Sequence, residues 1–115
     1  MWYCMLRAVD EFQAEHGHFP GMDDADLDRD TEAVHELAGP IVERLGLSEV
    51  EGGGYTKDYA TEVTRYGACE PHAIAAIIGA TASQEAIKVI THQFYPINNT
   101  FVFNGIASVG ATLPM

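Results

Sequence analysis

The chain has 115 residues, of which 47% are hydrophobic, enough for one modest domain or for part of a larger one. Six Lys and Arg against 17 Asp and Glu give a formal charge of −11, which argues against nucleic acid and anionic membranes as the main partners and favours a basic protein. No run reaches the roughly 18 apolar residues of a membrane span, and Met1 to Leu6 lacks a leader pattern. Two cysteines, Cys4 and Cys69, form no disulfide framework. We expect an intracellular chain, cytoplasmic or nuclear.

The first predicted element is an amphipathic helix over Trp2 to His16, ended by Gly17. Its pattern puts a set of apolar side chains on one face: Trp2, Met5, Leu6, Val9 and Phe12. Pro20 and Gly21 then predict a turn. Because the chain starts abruptly on an apolar helix, we expect that an upstream segment is missing.

An acidic segment, Asp23 to Asp30, is predicted as a solvated loop or as the first turn of the next helix. A calcium loop is not favoured, because Leu27 and Val34 stand where the pattern requires other residues. The next helix is predicted over Thr31 to Leu45, with Pro40 producing a kink or a break. Its inner face carries Val34, Leu37, Ala38, Ile41, Val42 and Leu45.

The stretch from Glu51 to Tyr55 is predicted as a flexible connector, since it lacks the Lys-Ser or Lys-Thr pair of a phosphate-binding loop. A short helix, N-capped by Thr56, is predicted to run through Arg65 and to stop before Gly67. Its inner side would carry Tyr59, Val63 and Tyr66.

A long helix dominates the stretch from Tyr66 to Thr91, with Pro71 in its first turn. The first half is apolar on nearly every side, which predicts a buried helix. Small residues, Ala76, Gly79, Ala80, Ala82 and Ser83, predict close packing against a neighbour. A glycine inside a helix costs roughly 1 kcal/mol, so Gly79 is expected to gain from that contact.

The last part of the chain predicts extended structure and a strand pair. Phe94 to Ile97 is extended, Thr100 to Phe103 and Val109 to Leu113 are strands, and Asn104-Gly105 marks the turn between them. We therefore divide the chain into residues 1–65, a helical segment with an acidic insertion, and residues 66–115, the long helix and the strands.

Few side chains suggest chemistry. Cys69 and His72 could form a nucleophile pair at a helix N-terminus, but no orienting group or oxyanion donor is visible, and a structural thiol is favoured. No third or fourth zinc ligand accompanies the histidines at a suitable spacing, so helix-end or surface positions are favoured for His16, His18, His35 and His92. We expect no metal site. The carboxylates Asp10, Glu11 and Glu15 are expected to be solvated.

The segment from Arg65 to Met115 closely resembles the C-terminus of the regulatory, non-catalytic subunit of the neddylation-type ubiquitin-like-protein activating enzyme. The matching residues are Glu70-Pro71-His72, Gln84-Glu85, Ile87-Lys88, Asn98-Asn99-Thr100 and Ala111-Thr112-Leu113. The more widely shared set resembles the late helix of the adenylation-type (ThiF-like) α/β fold: Gly79, Gln84, Glu85, Ile87 and Lys88. Leu6 to Gly21 is also similar to the family, whereas residues 22–56 match only in layout.

This resemblance implies a heterodimer whose other subunit carries the ATP and magnesium site and the thioester-forming cysteine. The chain would be part of an inactive adenylation-type domain that contacts the catalytic subunit and serves a ubiquitin-like modifier. It would contain no catalytic residue, no cofactor site and no metal. Two features depart from the family: Gly79-Ala80 replaces a pair of glycines, and the glycine-rich N-terminal half is absent, which would leave apolar helix and sheet surfaces uncovered.

Two alternatives remain at this point. The chain could be the inactive half of a ubiquitin-type or sumoylation-type activating enzyme, although a single-chain enzyme would continue past Pro114. It could also be a small hydrolase or transferase that uses Cys69 and His72.

Overall fold

The computed structural model describes residues 1–48 and 57–114. Contacts divide the chain into two compact units, Met1–Cys69 and Glu70–Met115, called here the helical unit and the hairpin unit. The connector predicted at Glu51 to Tyr55 and the N-cap predicted at Thr56 lie outside the described residues.

The helical unit contains α1 (Trp2–His16), a short 3₁₀ turn (Asp24–Asp26), α2 (Leu27–Arg44) and α3 (Lys57–Tyr66). The predicted bounds of α1 are confirmed. Gly17 ends α1 in the left-handed conformation, with φ 77°, and its N–H donates to the Gln13 carbonyl at 2.8 Å. Glycine adopts this conformation at little cost, which explains why the helix stops there.

The core of the helical unit lies where α1, α2 and α3 pack against one another. Its buried apolar residues are Cys4, Met5, Ala8, Val9, Phe12, Val34, Ala38, Ile41, Val42 and Ala60. Full burial of each larger side chain contributes about 1.5–3 kcal/mol. Leu6, predicted on the inner face, is 53% exposed. The reason is helical geometry, because Leu6 is rotated by about 100° from its buried neighbour Met5.

Helix α2 begins earlier than predicted, at Leu27, and continues through Pro40 to Arg44. Asp28 and Asp30 in its first turn favour the early start, since the N-terminus of a helix carries partial positive charge. No break occurs at Pro40, which is exposed and lies between the buried residues Ala38 and Ile41. Packing on both sides holds the helix together across the proline.

A turn before α2 is fixed by a buried carboxylate. Asp30 is 2% exposed, and its Oδ2 accepts a hydrogen bond from the Gly21 N–H at 2.9 Å. Gly21 has φ 73°, and a β-carbon there would lie 2.2 Å from the Thr64 carbonyl oxygen of α3. The prediction of solvated aspartates is therefore wrong for Asp30. In α3, Tyr66 also departs from its predicted inner position, being 56% exposed.

The hairpin unit contains α4 (His72–Thr91), β1 (Thr100–Asn104) and β2 (Val109–Leu113). The strands pair antiparallel, from Thr100 opposite Leu113 to Asn104 opposite Val109. The side-chain oxygen of Asn104 accepts hydrogen bonds from the backbone N–H groups of Ile106 at 3.0 Å and Ala107 at 3.3 Å. This is an Asx-type turn, so the predicted turn and strand pair are confirmed.

The predicted burial of α4 is wrong for the described chain, because none of its residues is buried. Ile87 is 59% exposed and Ile90 is 76% exposed. A helix that is apolar on all sides needs cover from several directions. In the described hairpin unit, Ile97, Phe101 and Gly105 lie near α4 but leave none of its residues fully buried. The α/β class, with helices followed by two strands, is observed. An adenylation-type domain is not established by these elements.

Helix α4 is also long and apolar enough, by length and composition alone, to cross a membrane. Small polar residues and two charges, Glu85 and Lys88, interrupt its apolar residues, so no run of 18 consecutive apolar residues occurs in it. A single such helix does not separate a membrane span from a helix that protein covers, since both are apolar on all sides.

Candidate interaction surface

The five residues of the family-like set all lie on α4, and they fall into two groups. Glu85 and Lys88 are partly buried and engage other groups of the hairpin unit, whereas Gly79, Gln84 and Ile87 are exposed. The set therefore does not form a single cluster around a reacting centre.

Glu85 fastens the last turns of α4 to the chain that leads into β1. Its Oε1 accepts a hydrogen bond from Lys88 Nζ at 2.6 Å, and its Oε2 accepts one from the Ile97 backbone N–H at 2.6 Å. The hydrogen bond from Lys88, followed by that from Ile97, lowers the pKa of Glu85 below its ordinary value. Hydrogen bonds to an ionised carboxylate favour the charged form, so this contact is strongest when Glu85 is ionised.

The chain between α4 and β1 is shaped by two residues in the left-handed conformation. His92 ends the helix with φ 53°, and Asn99 has φ 86°. The Asn99 N–H donates to the Ile97 carbonyl at 2.9 Å, and the Thr100 hydroxyl donates to Asn99 Oδ1 at 2.7 Å. Asn tolerates positive φ better than other non-glycine residues, which gives a structural reason for Asn99 immediately before the strand.

Gly79 lies on an open part of α4. A β-carbon at this position would meet no atom of the described chain within 4 Å outside its own helical surroundings. The close packing predicted for the small residues is therefore absent from the part of the chain that the structure describes. An approaching neighbour from outside this chain remains a prediction.

A nearly uncharged apolar surface extends over the hairpin unit. From residue 70 onward the acidic and basic residues are Glu70, Glu85 and Lys88, and the last two neutralise each other. The exposed apolar side chains, here called the apolar surface, are Ile77, Ile78, Ile87, Val89, Ile90, Phe94, Tyr95, Ile106 and Val109. Exposure of this many large apolar side chains is typical of surfaces that another protein or a membrane covers.

Two open concavities lie beside α4 within the hairpin unit. One of about 260 Å³ is lined by Ile78, Ala82 and Glu85 on the helix and by Ile97 and Phe101 opposite. The other, of about 500 Å³, lies at the C-terminal end of α4. Its walls include Lys88, His92, Phe94, Tyr95 and Pro96. Tyr95 is 97% exposed, so both its ring and its hydroxyl are available to a partner.

The sequence also singled out Cys69 and His72, and a possible metal site. Cys69 and His72 are both exposed. Within residues 1–48 and 57–114, no group of three or more His, Cys, Asp or Glu side chains is placed to hold a metal ion. The apolar surface is therefore the feature of the hairpin unit that most needs a functional explanation.

No protein-family model matches the chain. Comparison with curated proteins finds NEDD8-activating enzyme E1 regulatory subunits, with 39% identity in Danio rerio and 42% in Gallus gallus, each over 113 residues and 98% of this chain. The Drosophila melanogaster protein is 36% identical over 110 residues. The matched part is the C-terminal portion of these proteins. The chain is homologous to that portion.

The chain spans about a fifth of the length of these NEDD8-activating enzyme E1 regulatory subunits, since the matches cover 20% of each. The predicted resemblance is thus confirmed, and it covers the helical unit as well as the hairpin unit. The matches alone do not say what covers the apolar surface.

Proposed function

We propose that the chain acts as the C-terminal portion of a non-catalytic regulatory subunit of a NEDD8-activating enzyme. The observation that carries this proposal is the 39–42% identity over 98% of the chain to proteins named as such subunits. In this role the chain supports the catalytic subunit through protein contacts. ATP, magnesium and the thioester-forming cysteine belong to that partner, and the complex acts on a ubiquitin-like modifier in the cytoplasm, the nucleus or both.

The apolar surface supports a role in assembly. A surface with no net charge outside Glu70 cannot select a partner by long-range attraction, so its stabilising contribution must come from burial. Burial contributes about 25 cal/mol for each Å² of apolar area, which makes α4 a strong contributor once it is covered. We propose that α4 is the late helix of an adenylation-type fold, covered by the rest of that fold and by the assembled enzyme.

The same features disfavour a small hydrolase or transferase. Such an enzyme would have to hold Cys69 and His72 within hydrogen-bonding reach and supply oxyanion donors. Both residues are exposed to solvent. The matched relatives are named as neddylation-type subunits, which also disfavours the ubiquitin-type and sumoylation-type alternatives.

A chimera tests the proposal. The C-terminal portion of the Danio rerio regulatory subunit is replaced by this chain and co-expressed with the catalytic subunit of a NEDD8-activating enzyme. We expect a stable heterodimer and ATP-dependent thioester formation with NEDD8 on the catalytic subunit, but no thioester with ubiquitin or a sumoylation-type modifier. The control lacks the C-terminal portion altogether. A chimera no more active than that control would refute the proposal.

Gly79→Leu in the chimera separates packing from folding. Because a side chain at Gly79 meets open space in the isolated chain, the helicity of the isolated variant should be retained. If a neighbour packs closely on this position in the assembly, Gly79→Leu should lower the amount of chimera that pairs with the catalytic subunit at least tenfold. Unchanged pairing would remove the close-packing role of this glycine.

A further inference from the structure

Two histidines lie close together at the C-terminal end of α1, in the helical unit. His16 is the last residue of the helix, Gly17 reverses the chain with φ 77°, and His18 follows. The ring centroids of His16 and His18 lie 6.1 Å apart, with an angle of 63° between the ring planes. From sequence, both were predicted at helix-end or surface positions, with no metal site.

Both imidazoles use Nδ1 to contact the backbone. His16 Nδ1 lies 3.1 Å from the Phe12 carbonyl oxygen, and His18 Nδ1 lies 2.9 Å from the Phe19 carbonyl oxygen. A carbonyl oxygen can only accept, so each Nδ1 must carry the proton in these contacts. In a neutral ring this leaves Nε2 with its lone pair. A hydrogen bond from Nδ1–H to a carbonyl is the arrangement that orients histidines in metal sites.

A buried phenylalanine supports both rings. Phe12 is 1% exposed; its ring stacks on His16 at 4.1 Å and meets His18 edge-on at 5.7 Å. The two imidazoles are thus held by a side chain that belongs to the core of the helical unit. A ligand pair held in this way loses less conformational entropy on binding than two free surface side chains.

We propose that His16 and His18 form a two-imidazole site for a divalent transition-metal ion. Two imidazoles that share a tetrahedral ion at metal–nitrogen distances of about 2.0–2.1 Å have ring centres roughly 5 Å apart. The observed separation of 6.1 Å is about 1 Å longer, so the exposed His18 side chain has to move toward His16 by about that distance when the ion binds. Water supplies the remaining ligands, so the site is open and its affinity is below that of a structural zinc site.

Local charge favours a cation at this site. His16 lies in the last turn of α1, where unpaired carbonyl groups give the helix end a partial negative charge. Neutral imidazole suits zinc, copper and nickel ions, and among these copper binds a given nitrogen site most tightly. The expected order of affinity is therefore Cu²⁺ above Ni²⁺ and Zn²⁺.

The experiment titrates the full chain with CuCl₂ and ZnCl₂ at neutral pH in a non-coordinating buffer, using calorimetry for affinity and electron paramagnetic resonance for the copper ligands. The chain carries Cys69→Ser, since an exposed thiol also binds soft ions. His18→Gln should weaken Cu²⁺ binding at least tenfold and remove one nitrogen from the spectrum. The matched control His72→Gln, at an exposed position of the hairpin unit, should leave both unchanged.

A second variant, His16→Gln, should produce the same loss as His18→Gln, and circular dichroism of all variants verifies that α1 is intact. The double variant should bind Cu²⁺ only slightly more weakly than either single variant, because either single change already removes one of the two imidazoles. Equal copper affinity in His18→Gln and in its parent would overturn the proposal. So would a copper spectrum that retains both nitrogens in that variant.

Discussion

Individual residues in this chain carry contacts that their side-chain chemistry alone does not indicate. Asp30 is the clearest case: it lies in a run of aspartates, yet it is buried and holds the Gly21 N–H. A carboxylate that satisfies a backbone donor in a buried turn stabilises that turn, and leaving the donor unpaired costs about 1–3 kcal/mol. The exposed Asp23 also satisfies a backbone donor, since its Oδ1 accepts from the Ala25 N–H at 3.0 Å, but it does so in contact with solvent.

The turn at Gly21 provides the first test at this scale. Gly21→Ala should lower the free energy of unfolding of the chain by about 2–4 kcal/mol, because the new β-carbon meets the Thr64 carbonyl and the backbone has φ 73°. Gly17→Ala is the matched control: its φ is 77°, but the space around it is open, so it should cost only about 1 kcal/mol. Urea denaturation measures both. Equal losses would mean that the contact with Thr64 is unimportant.

The pKa of Glu85 supports a pH-dependent prediction. In the folded chain this pKa lies below its ordinary value of 4.5, so the contact contributes stability above that pH and loses it as the pH falls through the folded pKa. Hydrogen exchange of the Ile97 amide should accordingly lose protection in acid, after correction for intrinsic exchange.

Lys88→Met is the control for that prediction. Removing the ammonium group should raise the pKa of Glu85 toward its ordinary value in a carboxyl NMR titration, because the hydrogen bond from Lys88 is its main cause. The pKa of Glu32, which is lowered by Lys57, should not move. A Glu85 that titrates at its ordinary value in the unmodified chain would contradict the observed contact.

At the scale of the elements, helix α2 shows how packing overrides a local signal. Pro40 lacks the N–H that would bond to the carbonyl of residue 36, yet the helix continues to Arg44. Pro40→Ala should therefore raise the free energy of unfolding, by about 1–3 kcal/mol, by restoring this hydrogen bond and removing the ring clash. Chemical denaturation provides the measurement. A destabilised variant would show that Pro40 stabilises the protein chiefly by lowering the conformational entropy of the unfolded chain.

The elements also show what the sequence could predict. Periodicity and Gly17 located α1, and β-branched and aromatic residues around Asn104-Gly105 located the strand pair. The acidic segment was predicted either as a solvated loop or as the first turn of the next helix, and its last residues do form the first turn of α2. The burial of Asp30 could not be predicted, because it depends on the tertiary contact of Asp30 with Gly21. The burial of α4 was predicted from an apolar composition that gives no indication of whether the covering surface belongs to the same chain.

The candidate surface was predictable to the same limited extent. The resemblance indicated Glu85 and Lys88, but the bond from the Ile97 N–H to Glu85 spans twelve residues and depends on how the chain turns at the left-handed residue His92. Gly79 was identified as a packing position from its small size. Its neighbour could not be found within the described chain, because nothing in residues 1–48 and 57–114 approaches it.

The whole molecule combines a helical unit with its own buried core and a hairpin unit without one. Formal charge follows the same division: the helical unit contains all but three of the acidic and basic residues. A buried core can support independent folding, whereas a helix with two strands and no buried residue on the helix offsets less of its conformational entropy.

This difference predicts the behaviour of fragments. A fragment of residues 1–69 should retain helical circular dichroism and unfold cooperatively in urea. A fragment of residues 70–115 should self-associate at the same concentration, because its apolar surface has no cover. A monomeric, cooperatively folded hairpin fragment would contradict this account of the two units.

The central claim is that the apolar surface of the hairpin unit works by being covered in an assembled activating enzyme. Hydrogen exchange of α4 amides, compared between the isolated chain and the chimera bound to its catalytic subunit, tests it most directly. We expect exchange along α4 to slow at least tenfold in the assembly and Ile90→Asp to abolish that protection, whereas Leu6→Asp, at an exposed apolar position of α1, leaves it intact. Equally fast exchange of α4 in the isolated chain and in the assembly would contradict the claim.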